Sequence, residues 1–196
     1  MSINNNEHAL RKAVFIVALL NLAYFGVEFG VAVAIKSVSL FADSIDFLED
    51  TFINILIFIA LGWSIKRRAL VGMLLAGVLL VPSLATLWSV WEKLHLPVAP
   101  DPTLLSLAGL GALIVNLSCA FILTRFRAHS GSMAKAAFLS ARNDALANIA
   151  IIGAALITTV TVSHWPDLIV GIAIFAINLD AAREVYLTAR DEYIRH

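Results

Sequence analysis

Residues 40–63 read LFADSIDFLEDTFINILIFIALGW. The stretch is long enough to cross hydrocarbon, which takes roughly 20 apolar residues in a helix. It nevertheless carries four acids within eight positions: Asp43, Asp46, Glu49 and Asp50. Successive helix residues turn by about 100°, so Asp46 and Asp50 lie about 40° apart on one face. Asn54 extends that stripe by a turn, Asp43 falls close to it, and Glu49 lies to one side. An ionisable side chain at membrane depth costs at least a few kcal/mol and marks a functional site by default.

The remainder of the chain says that this depth is real. Its 196 residues are 60% hydrophobic and 14% charged, with no net formal charge, and the mean hydropathy is +0.88. A soluble domain runs at about 45–50% apolar and about 25% charged. Disorder is excluded by the hydrophobicity. The lack of a basic excess argues against a nucleic-acid partner. The single cysteine, Cys119, excludes a disulfide within the chain.

Five further stretches are long and apolar enough to span: 12–35, 69–91, 103–124, 134–160 and 166–188. Their unbroken apolar runs do not alternate as barrel strands do. The expected fold is an all-α integral membrane bundle of six transmembrane helices. Residues 1–11 are expected to form a cytoplasmic tail, 12–188 the membrane domain and 189–196 a short second tail. Eleven basic residues (Arg11, Lys12, Lys66, Arg67, Arg68, Arg125, Arg127, Lys135, Arg183, Arg190 and Arg195) fall on one side of these spans, and two, Lys36 and Lys93, on the other. The positive-inside rule then puts both termini in the cytoplasm. Trp63, Trp88, Trp91 and Trp165 sit near span ends, as interfacial anchors do.

The fifth stretch carries a related pattern, SARNDALANIA at 140–150, in which Ser140, Asp144 and Asn148 recur every fourth residue. Asp50 lies about fourteen residues, and Asp144 about ten, from the cytoplasmic ends of their spans; at about 1.5 Å per residue both reach mid-bilayer. Carboxylates gathered there cannot all ionise without a cation or shared protons. Three carboxylates with neutral oxygens would coordinate a divalent cation, and the same groups would take up protons when it leaves. The bland alternative is that the acids pair with Arg142 or with one another as membrane glue.

The motif SVSLFADSIDFLED at 37–50 resembles the second-helix signature of the cation diffusion facilitator family of divalent-metal/proton antiporters. Asn21 followed by Glu28 resembles its first helix, and PDLIVGIAIFAINLDAAREVY at 166–186 its sixth. The resemblance implies an efflux transporter for a divalent metal of the zinc, cadmium, manganese or iron class. It places Asp46 and Asp50 on the family's second-helix ligand pair and Asp144 on the aspartate of its His-x3-Asp pair. Ser140 stands where the family has histidine, so the implied ligands are Asp46, Asp50, Asp144 and Ser140. Asp43, Glu49, Asn54, Asn143, Asn148 and Glu28 would orient or supplement them, with Glu28 also a proton-relay candidate. An all-oxygen set suits manganese or iron(II) better than zinc, which favours nitrogen and sulfur. No cofactor is expected beyond the transported ion. Protons, the lipid bilayer and a second copy of the chain, joined through membrane helices, are the expected partners. A bacterial inner membrane is the expected location, and the family's C-terminal metal-sensing domain is expected to be missing.

Two other functions are weighed. A non-transporting membrane partner is kept open by Ser140. An intramembrane aspartyl enzyme needs a Gly-x-Gly-Asp context around one acid, which neither Asp50 nor Asp144 has. Asn178 and Asp180 in the sixth stretch are expected to line a cavity or pack against neighbours, and His129 to be a solvated loop residue.

Overall fold

The structure, a computed structural model, describes residues 2–60, 63–125 and 131–195; His129 lies outside them. The described residues form six helices: α1 (Ser2–Ile35), α2 (Val38–Ala60), α3 (Ile65–His95), α4 (Pro102–Thr124), α5 (Gly131–Thr161) and α6 (Trp165–Arg195). Each expected span has its helix, and α1 and α6 continue well beyond the expected spans. Three segments, His8–Ile35, Pro102–Thr124 and Ser140–Thr161, are long and apolar enough to cross a membrane. Their exteriors are apolar, with Phe121 and Val160 more than four-fifths exposed. All four tryptophans are exposed.

Local chemistry sets the helix ends. Asp101 caps α4, its Oδ1 accepting from Leu104 N at 2.8 Å, with Pro102 beginning the helix where its missing N–H costs nothing. α1 stops at Lys36, which takes the left-handed conformation (φ 54°). The Ser37 N–H then returns to Ala32 O at 2.9 Å and the Lys36 N–H to Val33 O at 3.4 Å, satisfying two orphan carbonyls. α5 ends in the same way on Val162 (φ 49°), whose N–H reaches Thr158 O at 2.8 Å.

The strongest pairings are α4 with α5, α1 with α2, and α3 with α6, and α2 touches every other helix. That central position buries the acid stripe. One apolar cluster joins Val14 and Val17 of α1, Ile57 of α2, and Cys119 and Leu123 of α4. A second joins Ala32 of α1, Leu40 of α2, Leu105 of α4, Ile151 of α5 and Ile174 of α6. Along α2 the acids at 43–50 fall between these two clusters, so they occupy a polar layer inside an apolar bundle.

The first turn of α2 is anchored from α6. Ser37 caps it locally, its Oγ accepting from Leu40 N at 3.1 Å. The fully buried Asp167 then supplies a cap from 130 residues away. Its carboxylate accepts from Val38 N at 2.9 Å and Ser39 N at 3.2 Å, and from the hydroxyls of Ser37 and Ser39, each at 2.6 Å. A negative charge is favoured at that end of a helix. Lys93 of α3, only 3% exposed, pairs with the same carboxylate at 3.3 Å and also donates to Lys36 O. Burial draws the Lys93 ammonium's pKa below the usual lysine value, against the opposing pull of Asp167. Gly171 permits the approach of α6, because a Cβ there would stand 2.8 Å from Ser39 N. The acid-bearing helix is thus pinned at the end remote from Ala60.

Candidate ion-transport site

Asp43, Asp46 and Asp50 are buried on α2, with Asp46 9% and Asp50 5% exposed. Helix α5 meets them with two residues of the SARND segment. Ser140 donates from Oγ to Asp50 Oδ1 at 2.9 Å. The half-buried Asp144 brings its carboxyl within hydrogen-bonding reach of Asp50. The i, i+4 spacing that put Ser140 and Asp144 on one face therefore presents both to Asp50.

Asp46 also meets α6. The Asn178 amide of α6 donates to Asp46 Oδ1. Asp46, Asn143, Asp144 and Asn178 share the lining of a cavity of about 430 Å³ whose remaining walls are apolar residues of α5 and α6, Ile174 and Ile177 among them. Asp180 is exposed.

The supplementary candidates separate. Asn148 is fully buried, but it donates its amide to Asp43 Oδ2 at 2.5 Å and accepts from Asn116 Nδ2 at 3.0 Å. It serves Asp43 rather than the Asp46–Asp50–Asp144 group. Asn54 donates back to Asp50 O at 2.8 Å, leaving Oδ1 without a partner among the described residues. Asn143 is exposed, and its Oδ1 accepts from Arg142 at 3.1 Å. Glu49 is half-buried. Glu28, from α1, is fully buried and approaches Asp43 closely. Neither Glu28 oxygen, nor Asp43 Oδ1, has a donor among the described residues.

The ion pairs observed, Lys36 with Glu92 at 3.9 Å and Lys93 with Asp167 at 3.3 Å, involve none of these acids. Arg142, the glue partner considered above, is exposed and turned to Asn143. Among the described residues no three His, Cys, Asp or Glu side chains converge closely enough to hold a metal by themselves. The acids meet in pairs, each pair supplemented by a neutral hydroxyl or amide.

An acidic layer buried in an apolar helical bundle, with a cavity leading to it from between two helices, is the architecture of an ion-transport domain. A family model described as the cation efflux transmembrane domain matches residues 14–192, and the chain belongs to that family. Its members are cation efflux transporters, not enzymes, which sets aside the aspartyl-enzyme alternative. No curated protein matches the chain.

Proposed function

We propose that this protein exports a divalent metal cation from the cytoplasm in exchange for protons, holding the ion at mid-membrane between α2 and α5 with Asp46, Asp50, Asp144 and Ser140. One observation carries the reading. Acids from α2 and α5 are packed together in the bundle interior beside neutral donors, where a cation or protons can offset their charge. The Ser140 hydroxyl and the Asn178 amide stabilise Asp50 and Asp46 by donating hydrogen bonds. An arriving cation replaces those donors and expels protons from the carboxyl group it binds. Protons return when it departs, so the layer never stands fully ionised and empty. The oxygen donors favour manganese or iron(II) on grounds of ligand hardness.

The same reading has six membrane spans with both termini cytoplasmic, a homodimer formed through membrane helices, and a bacterial plasma membrane as its setting. The basic residues gathered at one side support the orientation.

Uptake into proteoliposomes with an acidic lumen tests the function. Wild type is expected to accumulate manganese or another divalent metal, and the accumulation to collapse with the proton gradient. The Asp50→Ala, Asp144→Ala double variant is expected to take up none. Wild type indistinguishable from that variant with every divalent metal tried would overturn the proposal and favour a non-transporting partner.

A further inference from the structure

The structure assigns Asn178 of α6 as an additional oxygen ligand of the transported ion and as the residue that sets its metal preference. The assignment rests on the transporter reading above and adds a third helix to a site otherwise drawn from α2 and α5.

Four observations converge on it. Asn178 reaches across 132 positions of chain to bond Asp46 Oδ1, so its amide already sits on one of the proposed ligands. It lines the same cavity as Asp46 and Asp144. The described acids do not by themselves converge as a triad, so a complete coordination shell needs neutral donors. The other amide oxygens nearby are occupied or lie elsewhere: Asn148 Oδ1 accepts from Asn116, Asn143 Oδ1 accepts from Arg142, and Asn54, whose Oδ1 has no partner among the described residues, is not in the cavity lining.

A carboxamide suits this position for a physical reason. It offers two donors on nitrogen and an acceptor on oxygen, in groups of nearly equal size. In the structure the NH2 donates to the Asp46 carboxylate. With a cation bridging Asp46 and Asp144, a half-turn about the last side-chain bond brings Oδ1 to where Nδ2 stood. The same residue thus satisfies both states without adding charge to a layer already rich in it. An amide oxygen is a hard donor that suits manganese, magnesium or calcium, whereas an imidazole in its place would supply the nitrogen that zinc favours.

The test uses the full-length chain purified in detergent, titrated with manganese and zinc and loaded with cobalt(II) for visible spectroscopy. Asn178→Ala is expected to weaken manganese binding about tenfold or more. Asn178→His is expected to move the zinc-over-manganese preference by about tenfold towards zinc and to intensify the cobalt band as nitrogen enters the shell. Melting curves identify variants that fold as wild type does, and Asn178→Ser replaces Asn178→Ala if the latter does not. Folded variants with wild-type affinities, preference and cobalt spectrum would overturn the assignment, provided that Asp46→Asn abolishes binding. Wild type that binds and transports no divalent metal would instead overturn the transporter reading, so the two failures are told apart.

Discussion

Asp167 and Asp46 are buried carboxylates on helices packed against each other, and their surroundings differ in kind. Asp167 receives hydrogen bonds from two backbone N–H groups and two serine hydroxyls, and pairs with a buried lysine. In the central layer Asp46 has one donor seen, Asn178; Asp50 has the Ser140 hydroxyl; Asp43 has Asn148; and Glu28 has none among the described residues. A buried charge with every lone pair occupied is a fixed structural element. Buried acids left short of donors are held in place by the fold around them and gain when a cation or proton arrives. Saturation, more than acidity or depth, separates the acid that pins α2 from the acids that α2 presents.

The contrast has measurable consequences. Asp167→Ala should be the most damaging, at about 3–5 kcal/mol, because it strands the Lys93 ammonium and uncaps α2 together; denaturant or thermal melts in detergent measure it. A loss of under about 1 kcal/mol would mean that the cap on α2 is ornamental. Lys93→Met should cost less, about 1–3 kcal/mol, since the serine and backbone donors still hold Asp167. Lys36→Gly should raise stability by about 1 kcal/mol, because glycine accepts the left-handed backbone and the ion pair lost, with Glu92, is exposed. Asp50→Asn should move stability least, by under about 1 kcal/mol in metal-free buffer, because the amide retains a carbonyl for Ser140 and removes a like charge. The same variant should lose metal transport. A large destabilisation by Asp50→Asn would place that residue with Asp167 as a structural acid.

Much of the central layer could be read from local sequence. Spacing alone put Asp46 and Asp50 on one helix face, and Ser140 and Asp144 on another, because a helix repeats every 3.6 residues whatever it packs against. The Ser140–Asp50 bond unites the two faces. Sequence spacing did not say that Asn148, on the same face as Asp144, would be committed to Asp43. That choice depends on how far α5 has slid along α2. Nor did it distinguish Asp167 and Lys93 from ordinary charges at helix ends, since their partners lie far away in the chain. Asn178 was visible as a polar residue in an apolar run and therefore as a cavity candidate. Its bond to Asp46 was not.

The sequence by itself determined the solvent this chain is built for, the helices that fill it, and the placement of acids within them. Those follow from composition, from periodicity and from the cost of polar groups in hydrocarbon, each acting over a few turns of one helix. Only the tertiary structure decided which acids are saturated and which are left waiting. Hydrogen-bond partners there come from other helices, up to 132 residues distant, and a partner's identity depends on the rotation and register of two packed helices, which no local pattern encodes.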